Sequence, residues 1–394
     1  MASWAEAWFG GLQAPRGLAF LQQERDRKQR KQVWSCFPTE APCMPELKVP
    51  CEPAPPRPVG SEGVPLLDVD GKTPRRDQHD TAGLSQSEKR RFCAVSGSLD
   101  KTLKLWDLDR GSCVETFVGH EGAVTCLAVD WGSLRCALSG SSDSTLRLWD
   151  LDRAVCVETL TGHSAGVLCV SVEWGSRLAL SGSMDATLRL WDLDQARCMK
   201  ILEGHHEAIW CVAVDWRSHR ALSGAGDKTL RLWDLHLGAC SSTLRGHEGG
   251  VSCVVVDWGS CKALSGSGDK TLRLWWDLTS DVCVETLRGH EQGVLCLSAD
   301  WEAQRALSGA ADRMLRLWDL DRASCVELLW GHEDAVRCVS ADWTLMYALS
   351  GSGDHKLKLW DLQRAVCTET LEGHEEAVRC TAVDSEAVAI IESG

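Results

Sequence analysis

A chain of 394 residues, 44% hydrophobic and 25% charged, has the composition of a soluble globular protein long enough to bury a large core. Its charge is uneven: residues 1–90 carry 13 basic and 12 acidic side chains, leaving 29 basic and 44 acidic for the rest. An acidic body repels nucleic-acid backbones and anionic membranes, so neither is an expected partner. No apolar run reaches the roughly 18–20 residues needed to cross a bilayer, and the first ten residues lack the features of a secretory signal. The expected address is the cytoplasm, with the nucleus as alternative.

Taken in chain order, residues 1–90 read as a mostly disordered tail. All 11 prolines lie between Pro15 and Pro74, and the cluster from Pro50 to Pro58 favours extended chain. Residues 18–34 contain a polar run, Gln22 to Gln32, that reads as a short exposed helix. Gly71-Lys-Thr73 mimics the end of a phosphate-binding loop, but Leu66 stands where the loop needs glycine and Pro74 follows. No cofactor is expected.

From residue 91 onward the chain repeats. Gly-His occurs at His120, His163, His205, His247, His290, His332 and His374, spaced by 42 or 43 residues. Trp-Asp occurs at Trp106, Trp149, Trp191, Trp233, Trp276, Trp318 and Trp360. The chain enters part-way through a unit: Phe92–Gly97 matches a second strand, Lys101–Asp107 a third and Cys113–Phe117 a fourth. A complete unit runs from Gly162 to Gly204. Val167–Val172 is apolar and β-branched, as a buried strand is, and Leu178–Gly182 is a second short strand. A turn at Ser183-Met-Asp185 leads to Thr187–Asp192, which alternates, and Cys198–Leu202 is the fourth. A four-stranded sheet of such short strands cannot cover both faces alone, so copies must stack, and radial stacking covers them all. The last unit stops after Gly373-His374 and Val378–Val383, the first strand missing from residues 92–117. Ala387–Ile391 also resembles a second strand, so two segments compete for one place.

The period and the two marks resemble the WD-repeat family over residues 91–394. The resemblance implies an all-β, seven-bladed WD-repeat β-propeller with one blade shared between the two ends. It also implies a hydrogen-bonded set of His, Ser, Asp and Trp in each blade. Those sets are His120/Ser139/Asp143/Trp149, His163/Ser181/Asp185/Trp191, His205/Ser223/Asp227/Trp233, His247/Ser265/Asp269 with Trp275 or Trp276, His290/Ser308/Asp312/Trp318 and His332/Ser350/Asp354/Trp360. His374 completes the seventh with Ser96, Asp100 and Trp106. Seven copies argue for structure, so no catalytic residue is expected among them.

Other repeated residues invite weaker readings. Fourteen of the 20 cysteines sit at two repeat positions, on first strands (Cys126 and equivalents) and fourth strands (Cys113 and equivalents). No Cys-x-x-Cys pair exists, so they read as small apolar residues buried between blades rather than metal ligands. Trp131, Trp174, Trp216, Trp258, Trp301 and Trp343 each follow an acidic residue. They read as wedges between blades or, alternatively, as an aromatic, acidic ring for a basic peptide. Arg147, Arg189, Arg231, Arg273 and Arg316 are expected to face glutamates such as Glu158 across strands.

One repeat position varies. It reads Thr125, Leu168, Trp210, Ser252, Leu295, Arg337 and Arg379, and the resemblance places it at the mouth of the central channel on the Gly-His face. Small residues precede it, among them Gly166, Gly250 and Ala335. Thr125, Leu168, Trp210, Leu295, Arg337 and Arg379 are the candidate partner-binding residues. Trp210 would anchor an apolar group, and Arg337 with Arg379 would clamp a carboxylate or phosphate. The expected function is a non-catalytic scaffold, monomeric within a complex, that binds other proteins, including acidic or phosphorylated peptides. The alternatives are a substrate receptor of a ubiquitin ligase and a regulatory propeller of a signalling system.

Overall fold

The computed structural model describes residues 93–132, 134–279 and 283–384. The expected tail (1–90) and the competing segment Ala387–Ile391 lie outside the described residues. The chain divides into two units, Met1–Ala82 and Gly83–Gly394, and the described residues all belong to the second. The described residues are all-β: their 28 strands form seven four-stranded antiparallel sheets. No helix of the described residues is long and apolar enough to cross a membrane.

Each sheet is one blade. In blade 1 the strands Val124–Asp130, Cys136–Ser141, Leu146–Asp150 and Val155–Leu160 follow in order. Blades 2 to 6 repeat this order from first strands beginning at Val167, Ile209, Val251, Val294 and Val336. Blade 7 joins the chain ends: Val378–Val383 pairs with Cys93–Ser98, which pairs with Leu103–Asp107 and then Ser112–Phe117. First strands touch their neighbours in both directions all round, so the ring is closed and its axis is lined by them.

The core lies between blades. Leu138, Leu146, Leu148 and Leu160 of blade 1 pack against Val167, Ala179, Trp191 and Leu193 of blade 2. Six equivalent clusters fill the other junctions. A blade therefore buries its apolar faces only against another blade, which is why the repeats form a ring.

All seven polar sets form. The Trp149 indole N–H donates to Ser139 Oγ at 2.8 Å. Ser139 Oγ lies 2.8 Å from His120 Nε2, and His120 Nδ1 lies 2.8 Å from Asp143 Oδ2. A neutral imidazole protonated on Nδ1 satisfies every atom of this relay. Asp143 also accepts from the Glu121 backbone N–H (3.0 Å) and from the Thr145 N–H (2.9 Å) and hydroxyl (2.6 Å). Burial raises its carboxyl pKa, but the hydrogen bonds from Thr145 and His120 outweigh that and hold it at about 2. In blade 7, His374 spans the join to Ser96 (2.7 Å) and Asp100 (2.7 Å). The relay pins each Gly-His loop to its own blade, and so fixes the rim of the channel.

The structure settles one open alternative and corrects two expectations. In blade 4 it is Trp275 that is buried and donates to Ser265 (2.9 Å), whereas Trp276 is 51% exposed. An inserted residue moves the Trp-Asp pair off the register, and Leu278 still reaches the core. Second, of the two repeated cysteine sets only the first-strand one is buried. Those on fourth strands lie on the outer edge and are half-buried or exposed. Third, Arg147 pairs with Thr159, not Glu158, which pairs with Leu148, so the arginines and glutamates fall on opposite faces. Arg147 Nη1 instead lies 3.8 Å from the Cys156 sulfur.

Candidate functional site

The variable repeat position faces the channel because it is a bulge in every blade. Val124 pairs with Ser141 and Cys126 with Gly140, leaving Thr125 without a partner. The same shift isolates Leu168, Trp210, Ser252, Leu295 and Arg337. It isolates Arg379 between Val378 and Cys380. An extra residue breaks the two-residue alternation and re-aims its side chain. Residues on either side, such as Val124 and Cys126, stay buried.

Six of the bulged residues (Thr125, Leu168, Trp210, Leu295, Arg337 and Arg379) line one cavity of 220 Å³ on the ring axis. They are the six partner-binding candidates, and the structure brings them all together. Ser252, the seventh, does not line it: its hydroxyl donates to the Gly266 carbonyl (3.1 Å) and to that of Val294. Thr125 donates similarly to Gly140 (3.0 Å) and Val167, so its hydroxyl is largely committed to the scaffold.

The cavity has two unlike walls. Trp210 packs over Gly250, where a Cβ would lie 2.6 Å from the indole, so only glycine leaves room for this rotamer. Leu168 adjoins it in ring order. Opposite stand Arg337 and Arg379 on adjacent blades. No acidic residue lines the cavity, and neither guanidinium has an ion pair among the described residues. Burial, and then the Arg337 charge, push the Arg379 pKa down from its ordinary value.

The first-strand cysteines also reach this cavity, a place the sequence reading did not assign them. Burial pushes the thiols of Cys126, Cys253 and Cys338 up to about 12. Cys169 and Cys296 direct their sulfurs at the Ile209 and Val336 carbonyls, each at 3.9 Å. Protonated thiols engaged in this way are poor nucleophiles and poor metal ligands. Among the described residues no cluster of His, Cys, Asp and Glu is arranged to hold a metal.

Thr381 was missed. It lines the cavity one residue below the cysteine ring, where the other six blades carry Leu127, Val170, Val212, Val254, Leu297 and Val339. The signal was a single polar residue at an otherwise apolar repeat position.

On the opposite face the second tryptophan set is half-buried and packs into the junctions between blades, Trp131 and Trp174 among them. The acidic residues beside it shape turns: Asp130 accepts the Gly132 and Leu134 N–H groups, both at 3.0 Å. The wedge reading describes these residues, and their carboxylates are committed locally.

A family model described as "WD domain, G-beta repeat" matches residues 78–107, 111–150, 154–192, 196–234, 238–275, 281–319 and 323–361. Together these cover more than half of the chain. Among curated proteins, the chain is similar to "Mitogen-activated protein kinase kinase kinase A" of Dictyostelium discoideum, 47% identical over 36 residues. It is also similar to "F-box/WD repeat-containing protein 10" of Mus musculus, 49% identical over 35 residues. Each alignment covers 9% of this chain, and 4% and 3% of the respective relative. Both are shorter than a single repeat.

Proposed function

We propose, from the premise that the chain belongs to the WD domain, G-beta repeat family, that it is a non-catalytic scaffold holding partner proteins at the Gly-His mouth of its channel. The observation that carries this reading is the bulge ring. The packing and polar positions of the repeats are nearly uniform, while the bulged position varies among Thr, Leu, Trp, Ser and Arg, and six of its seven residues line the channel cavity. Their arrangement suits an extended peptide with an apolar side chain against Trp210 and an acidic group toward Arg337 and Arg379. The serine–histidine pairs do not suit catalysis, because Ser139 and its equivalents are fully buried and already accept the tryptophan N–H. Among the described residues the cysteines form no disulfide, which fits a reducing compartment, the cytoplasm or nucleus. The short similarity to an F-box/WD protein lies within a repeat length, so it supports the propeller and leaves the ligase-receptor reading without an observation of its own.

Affinity capture with the intact chain and with a Trp210→Ala, Arg337→Ala, Arg379→Ala variant tests this. Circular dichroism must first show both equally folded. A discrete partner set retained by the intact chain and lost from the variant is expected. The same set on both proteins would remove the channel mouth as the binding site.

A further inference from the structure

Three polar residues break the repeat on one wall of the channel. Arg337 is the bulged residue of blade 6, while Arg379 and Thr381 lie on Val378–Val383, the strand that closes the ring. Arg337 Nε is buried without a hydrogen-bond partner, and Thr381 Oγ1 is buried with no oxygen or nitrogen partner, only the weakly bonding Cys338 thiol beside it. Unsatisfied buried polar atoms are costly, and so are two like charges in a partly desolvated cavity. The third-strand arginines also bury an unpartnered Nε, but most of them reach a cysteine sulfur, as Arg147 reaches Cys156. At the channel two guanidiniums and a buried hydroxyl share one cavity that no carboxylate lines.

We propose that this wall binds a tetrahedral oxyanion of the phosphate class between Arg337, Arg379 and Thr381, and that the anion clamps the closing strand onto blade 6. Guanidinium forks match the oxygen geometry of such an anion, and the hydroxyl supplies a further donor. A dianion between the arginines turns a repulsion across the last junction of the ring into a bridge. The anion is either free or carried on a partner's side chain, since both present the same oxygens. The inference shares its cavity with the proposed function but does not depend on peptide capture.

The test is the thermal midpoint of the full chain in sodium phosphate against sodium chloride at equal ionic strength. It is paired with calorimetric titration of inorganic phosphate. Wild type is expected to gain a few degrees in phosphate. Arg337→Gln and Arg379→Gln are expected to lose that gain, and Thr381→Val to reduce it. In chloride the arginine variants should melt no lower than wild type, because each removes one of two unpaired like charges. Their lost response is then not a folding defect. An equal gain in wild type and both variants reflects general exclusion of phosphate from protein surface and overturns the proposal. If inorganic phosphate gives nothing, a short phosphoserine peptide is compared with its unphosphorylated form. Binding at least about tenfold tighter, and only with both arginines present, places the anion on a partner. No response to either ligand overturns the proposal. Trp210→Ala separates the two ideas: partner capture lost with the phosphate gain intact means two independent uses of one channel.

Discussion

Acid should open this propeller through the seven half-buried aspartates of its polar relays. The folded pKa of Asp143 is depressed from 3.8 to about 2 by hydrogen bonds that outweigh burial, and Asp185 and Asp354 also stand at about 2. A depressed carboxyl contributes stability that is fully present above its unfolded pKa and lost as pH falls through its folded pKa. The window is therefore pH about 4 down to about 2. A shift of this size is worth roughly 2 kcal/mol at neutral pH, falling to about 1 at pH 3. Over Asp143, Asp185 and Asp354 alone this is several kcal/mol, a large fraction of the stability of a typical domain, and Asp312 is shifted in the same direction. His120 and His163 act with the same sign. Burial lowers their folded pKa below 6.5, so the unfolded chain takes up protons first and stability begins to fall below that pH. The assay is urea unfolding followed by tryptophan fluorescence at pH 7, 5, 4 and 3, for wild type and Asp143→Asn. The midpoint should drop steeply below pH 4, and the gap between the two proteins should narrow there. A midpoint flat from pH 5 to pH 3, or a gap as wide at pH 3 as at pH 7, would refute the reasoning.

Other consequences follow from packing. Trp275→Ala should destabilise by about 3–5 kcal/mol by emptying a core position, whereas Trp276→Ala should change stability by less than about 0.5 kcal/mol; chemical denaturation of the pair decides it. Adding a methyl at Gly140 would bring it within 2.6 Å of the Cys126 sulfur and 2.7 Å of Val167, so Gly140→Ala should cost about 1–3 kcal/mol in the same assay. Ala186 sits at φ 64° in the turn of blade 2, and Ala186→Gly should stabilise by about 1 kcal/mol, seen as a higher melting midpoint. Thiol titration of the native protein should separate accessible fourth-strand cysteines such as Cys113 and Cys367 from the first-strand set, which should react only on unfolding.

The sequence by itself determined the split blade, whose strands are divided between residues 92–117 and 373–383, while the polar relay was what the resemblance to the WD-repeat family implied. It also determined the number of repeats, a local pattern stamped seven times at a fixed period. The candidate ring was legible for the same reason: a position that varies among near-identical repeats needs no coordinates to be found. Strand boundaries also came close, with Val378–Val383 found as expected and Val167–Val172 extended only to Glu173. Tertiary structure decided what depends on neighbours outside the repeat. Which of Trp275 and Trp276 enters the core follows from where the inserted residue is looped out, and adjacent tryptophans carry no mark of that. The two cysteine sets look alike in sequence, yet one lines the axis and the other the outer edge, since only the radial order of strands assigns inside and outside. Arg147 misses Glu158 because cross-strand register alternates faces, so a one-residue offset separates the charges completely. The meeting of Arg337, Arg379 and Thr381 at one wall also required closure of the ring, which sets the last strand beside blade 6. Burial without partners is a property of that closed cavity and of no residue alone.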